Sequence, residues 1–153
     1  MKRKLFLIIL IIVPLFFTTG CDSKKNELSN QVEDNTNYLN EVISSVKVII
    51  NNEEYILNFE DNETAKSFIN NLPIELNMSE LNGNEKYIYL DTSLPTDASN
   101  PKIINTGDVM LYGDNCLVIF YKSFNTSYSY TKIGHIDNLP NLGNGSITVK
   151  FEK

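Results

Sequence analysis

The stretch VKVIINNEEYILNFEDNETAKSFINNLP, residues 46–73, decides the fold. Val46–Ile50 and Tyr55–Phe59 are rich in β-branched and aromatic residues and are separated by Asn51-Asn52-Glu53-Glu54, the pattern of a β-hairpin. Asp61-Asn62 then precedes Glu63–Leu72, in which Ala65, Phe68, Ile69 and Leu72 recur at i, i+3, i+4 and i+7. That spacing lays one apolar stripe on a helix, with Asn62 as its N-cap and Pro73 as its stop. A hairpin followed at once by a single amphipathic helix is the start of a mixed but mainly β domain.

Downstream the pattern never returns to a helical period. Ile74–Met78 and Tyr87–Leu90 read as strands around a turn at Leu81-Asn82-Gly83-Asn84. Asp91–Pro101, with Pro95 and Pro101, reads as a long irregular loop. Asp108–Tyr112 and Cys116–Tyr121 flank Gly113-Asp114-Asn115, a strong turn signal. Tyr128–Ile136 and Ser146–Glu152 complete the strands. Several short strands spaced by turns, with one helix, imply a small closed barrel or a sandwich. The folded domain is expected over residues 45–153.

The chain before it reads differently. Lys2, Arg3 and Lys4, the apolar run Leu5–Phe17 and Thr18-Thr19-Gly20-Cys21 form a secretory signal pattern over residues 1–20. With a cysteine directly after Gly20 it resembles a bacterial lipoprotein signal, although Thr18 stands where such signals usually carry Leu. The resemblance implies that Cys21 carries lipid and attaches the chain to a membrane facing out of the cytoplasm. The other readings are simple cleavage and an uncleaved anchor, yet Leu5–Phe17 contains Pro14 and falls short of the roughly 20 residues a spanning helix needs. Residues 21–44 are polar and Asn-rich, a tether that lets the domain stand off the surface.

Composition narrows the function. Removal of the signal leaves 133 residues, enough for one domain. It also removes Lys2, Arg3 and Lys4, so ten basic residues face 19 acidic ones, a formal charge near −9. Such a surface repels nucleic acid and anionic headgroups. Arg3 is the only arginine, there is no Trp, and His135 is the only histidine. A site that needs a guanidinium fork is therefore excluded from the mature chain. Cys116, within Cys116-Leu117-Val118-Ile119-Phe120, reads as a buried free thiol acting as a small hydrophobe.

Four segments carry a family resemblance: NETAKSFINNLPIELNMSEL (residues 62–81), NGNEKYIYL (82–90), GDVMLYGDNCLVIFYKSF (107–124) and SYSYTKIGHI (127–136). Together they resemble a bacterial cyclophilin-like domain family over about Val46–Glu152. The resemblance implies a small closed β-barrel of cyclophilin type with one helix after the first hairpin. It does not carry over prolyl isomerase activity, because true cyclophilins use an arginine that this domain lacks. Around Met110-Leu111-Tyr112-Gly113 and Cys116–Phe120, the cyclophilin Gln and its companion Phe are replaced by aliphatic residues.

Candidate site residues remain few. Tyr87 and Tyr89 share one strand face, as do Tyr128 and Tyr130, and amphipathic rings suit a peptide or small-ligand groove as well as a half-buried barrel wall. Met78 and Phe120 are candidates for its apolar lining. His135 is a possible general base, metal ligand or plain strand residue. No Gly-x-Ser-x-Gly elbow and no EF-hand pattern occurs around the serines and loop aspartates. The expectation is a membrane-tethered domain that binds an extracytoplasmic peptide, protein or small ligand, with no catalytic constellation, metal or cofactor. The alternative is a weak peptidyl-prolyl isomerase acting on exported proteins.

Overall fold

A computed structural model describes residues 43–153. The signal (1–20), Cys21 and nearly all of the tether expected over 21–44 lie outside those residues. Strand β1 (Ser45–Ile50) and β2 (Glu53–Phe59) form the first hairpin. Its turn is Asn51-Asn52 alone, with φ of 52° and 67°. Two left-handed residues match the twist of the flanking strands, and Asn tolerates that conformation better than most side chains. β2 therefore starts at Glu53, two residues before the apolar run begins.

Helix α1 (Glu63–Asn70) is capped as expected, Asn62 Oδ1 accepting the Ala65 N–H at 2.8 Å. It stops short of Leu72, since the residue before a proline avoids the α region. Thr64, Ala65 and Phe68 form its buried face. The Phe68 ring meets Phe151 edge-on at 5.2 Å and Phe59 at 6.3 Å, which seats the helix on the barrel core.

The remaining strands are β3 (Ile74–Leu81), β4 (Glu85–Tyr89), β5 (Ile103–Ile104), β6 (Asp108–Tyr112), β7 (Cys116–Phe120), β8 (Phe124–Asn125), β9 (Thr131–Ile136) and β10 (Ile147–Glu152). Eight of the ten strands close into an antiparallel barrel in the order β1-β10-β3-β4-β7-β6-β9-β2, and β2 pairs back onto β1. The barrel reading over the sandwich is thus correct, and closure leaves no open sheet edge. Residues 43–153 form one compact unit by themselves. Gly134 is required where β9 meets β2, because a Cβ there would lie 2.3 Å from the Asn58 carbonyl oxygen.

Two apolar clusters follow from strand alternation. Val48, Leu57, Val109, Leu111, Leu117, Ile119, Ile133 and Phe151 point inward and fill the barrel. Met110, Cys116, Val118 and Phe120 point outward from β6 and β7 into a second cluster with Ile104 and Tyr130. Every residue of β7 is buried. The unbroken apolar run Cys116–Phe120 is the sequence signature of such a strand, covered on both faces. Its outer cover includes a ribbon that the sequence did not announce, β5 paired with β8.

The loop 91–101 is irregular as expected, yet anchored. Leu94 donates its N–H to the Asp114 carbonyl at 2.7 Å, Thr64 Oγ1 donates to the Pro95 carbonyl at 2.6 Å, and Ser99 bridges to Tyr130. That bridge corrects the strand expected over Tyr128–Ile136. β9 begins only at Thr131, and Tyr128 and Tyr130 belong to the segment leading into it.

Candidate functional site

On the outer face of β4, β7 and β6 lies an open cavity of about 300 Å³. Its floor is Val118 and Cys116 of β7. Tyr87 and Tyr89 rise from β4, Tyr112 from the end of β6, and Tyr128 and Tyr130 from the segment before β9. Leu81 at the end of β3, Asn82 in the following turn and Glu85 at the start of β4 complete the rim. The period of two places Glu85, Tyr87 and Tyr89 on one face of β4, so one strand supplies both aromatic and acidic lining.

The rings meet at edges rather than flat. Tyr87 and Tyr89 are 6.1 Å apart at 85°, Tyr112 and Tyr128 are 6.1 Å apart at 89°, and Tyr112 and Tyr130 are 5.6 Å apart at 52°. Edge-to-face packing is the preferred aromatic geometry, because a ring's positive rim meets its neighbour's negative face. Tyr89 and Tyr128 are the open side of the groove, 64% and 61% exposed, whereas Tyr130 is nearly buried.

Four of the residues singled out from sequence, Tyr87, Tyr89, Tyr128 and Tyr130, therefore converge on one groove. Three others do not line it. Met78 is wholly buried in the barrel interior, since β3 alternation turns Leu76 and Met78 inward. Phe120 is wholly buried in the outer cluster and supports the groove from below, its ring 5.5 Å from that of Tyr130. His135 is held elsewhere on β9, its Nδ1 3.1 Å from Asp108 Oδ1 and its Nε2 3.6 Å from Asp137 Oδ1. Tyr112, Glu85, Cys116 and Val118 were missed as lining. For three of these the signal is in the sequence: alternation along β6 and β7 puts Tyr112 with Met110, and Cys116 with Val118 and Phe120.

Burial shifts the titratable groups of the groove. Burial pushes the Cys116 thiol above its ordinary pKa, and the nearby Glu85 carboxylate adds to the effect. The thiol is free, and a raised pKa keeps it protonated and a poor nucleophile. Burial, then Glu85, likewise raises Tyr130. Glu85 itself is raised by burial and by Glu80. Among the described residues, no group of three or more His, Cys, Asp or Glu side chains could hold a metal ion.

Lys86, next to Glu85, faces the other way. It is fully buried inside the barrel, where Nζ donates to the carbonyls of Gly143 and Gly145 at 2.7 Å each and lies 5.1 Å from the centre of the Tyr121 ring. A second cavity of about 300 Å³ is lined by Phe68, Ile74, Leu76, Ile88 and Leu90 with Asn71, Asp91 and Thr92, and touches the groove only through Tyr89.

A search of curated proteins and a search of solved structures each returned no match. A family model described as the cyclophilin-like family matches residues 48–152, which spans the barrel and its groove, and the chain belongs to that family.

Proposed function

We propose that this chain is an extracytoplasmic, membrane-tethered binding protein whose barrel holds a peptide segment or small ligand in the tyrosine-lined groove. The tether in this reading is a lipid on Cys21, and residues 21–44 give the domain its reach. One observation carries the ligand reading: five tyrosines from three separate parts of the chain meet over an apolar floor in one open cavity. Concave, mainly apolar sites with a few polar tips are where ligands are held. Family membership alone supplies architecture and leaves activity to the site.

The site favours binding without turnover. No arginine lies within the domain, the groove thiol is held protonated, and His135 is not part of the lining. The test is the cis-to-trans rate of a short X-Pro peptide with residues 43–153. That isomerisation takes tens of seconds or longer uncatalysed, so modest acceleration is easily seen. A rate equal to the blank is expected, together with saturable peptide binding that Tyr128→Ala plus Tyr130→Ala removes. Clear acceleration would establish a weak isomerase instead. The anchor is tested separately: the full chain made in a bacterium should take up radiolabelled palmitate, and Cys21→Ser should not.

A further inference from the structure

The groove is aromatic and acidic at once, and no Lys, Arg or His is among its described lining residues. Of its lining residues Glu85 alone carries a formal charge. Among the described residues no Lys or His forms an ion pair with Glu85. The lysine beside it in sequence, Lys86, is committed to two backbone carbonyls inside the barrel. The carboxylate of Glu80 adds to the effect of burial in raising the Glu85 pKa. Glu80 has partners of its own, accepting from the Gly83 N–H and from the Tyr121 hydroxyl.

We propose that the groove recognises an alkylammonium group of lysine side-chain size, seated among the tyrosine rings with Glu85 as its counter-ion. This rests on the reading of the groove as a ligand site and names the ligand's chemistry. The edge-on ring packing matters here. Tyr87 with Tyr89, and Tyr112 with Tyr128, are near-perpendicular pairs, which leaves ring faces unstacked. An ammonium within about 6 Å of such a face is attracted by its negative quadrupole, more strongly when partly desolvated. The apolar floor of Val118 and Cys116 suits the methylene stem of the same ligand. A cavity of about 300 Å³ is at the small end of ligand sites, enough for one side chain. Anionic ligands are disfavoured, because they would meet Glu85 with no cationic side chain among the described lining residues to offset it.

The ammonium can arrive on a peptide lysine or as a free small cation, and the test separates the two. Residues 43–153, a self-closing barrel, are titrated with Nα-acetyl-lysine methylamide, with Nα-acetyl-norleucine methylamide as the neutral analogue, and with tetramethylammonium. Resonances of the tyrosine rings report binding. The lysine derivative is expected to bind about tenfold more tightly than the norleucine one, and added salt should weaken it. Glu85→Gln and Tyr112→Leu should each reduce lysine affinity severalfold and narrow its margin over the norleucine derivative. Tetramethylammonium competing through Glu85 identifies a free cation as a ligand, and its failure beside lysine binding identifies a peptide side chain. Equal binding of the two amino-acid derivatives overturns the cation inference while the groove remains a ligand site. No response of the groove tyrosines to any of the three also overturns it, and the X-Pro and peptide measurements above then decide the groove itself.

Discussion

The rings of Tyr112 and Tyr130 lie 5.6 Å apart, tilted by 52°, and so join the end of β6 to the segment that enters β9. The contact holds one wall of the groove against another, across a stretch that is not itself a strand. Aromatic pairs of this kind contribute about 0.5–1.5 kcal/mol beyond area burial. A double-mutant cycle on Tyr112→Ala and Tyr130→Ala, read by urea unfolding, should return a coupling of that size. Additive losses would mean that the two walls stand independently.

Phe120 and Tyr128 should behave as opposites. Phe120 is wholly buried under the groove, and Phe→Ala at such sites costs about 3–5 kcal/mol. Tyr128 is mostly exposed, so Tyr128→Ala should change stability by only about 0.5 kcal/mol while weakening any groove ligand. Comparing chemical unfolding with ligand titration separates the two roles.

Glu85 gives a pH signature. Its folded pKa is raised, first by burial and then by Glu80, so the native state holds its proton to a higher pH than the unfolded chain does. The native state therefore binds more protons in the interval between the unfolded and folded values, and stability falls as pH rises through it. Above that interval the full cost of the buried carboxylate is present. Glu85→Gln should raise the melting temperature at pH 7, and the gain should vanish near pH 4. A variant that is less stable at pH 7 would place Glu85 in a stabilising contact instead.

Lys86 runs the opposite way. Burial lowers its pKa, with Glu80 opposing, so the native state gives up its proton before the unfolded chain does. Stability then rises with pH from the lowered folded value up to the ordinary lysine value. Lys86→Met keeps the volume and removes the buried charge, and should cost little or stabilise. Lys86→Ala opens the interior and should cost about 2–4 kcal/mol. In both variants the amides of the 139–146 segment should exchange faster, because the Gly143 and Gly145 carbonyls lose their donor.

How much of this was legible in the sequence depended on which force placed each element. The hairpin, the Asn62-capped helix and the Gly113 turn were readable because local backbone preferences set them. The helix end at Asn70 and the start of β9 at Thr131 were misplaced. Proline sterics decide the first, and the Ser99–Tyr130 bridge, made by a distant loop, decides the second. Tyr87 and Tyr89 were correctly paired by alternation, whereas Tyr128 and Tyr130 meet in the groove through a loop path that alternation does not describe. Met78 was drawn into the candidate site because an apolar side chain reads the same for a core and for a groove. Only the phase of β3 within the closed barrel distinguishes them. Glu85 was overlooked because a lone surface acid is unremarkable until three strands and a loop surround it.

The central claim, that the outer-face groove is where this barrel binds, is tested most directly by following all tyrosine ring signals of residues 43–153 while a panel of tripeptides containing lysine or proline is added. The account expects saturable shifts at Tyr87, Tyr89, Tyr112, Tyr128 and Tyr130, with Tyr55 and Tyr121, which lie outside the groove, unmoved. Shifts confined to Tyr55 or Tyr121, or no saturable shift with any peptide, would contradict it.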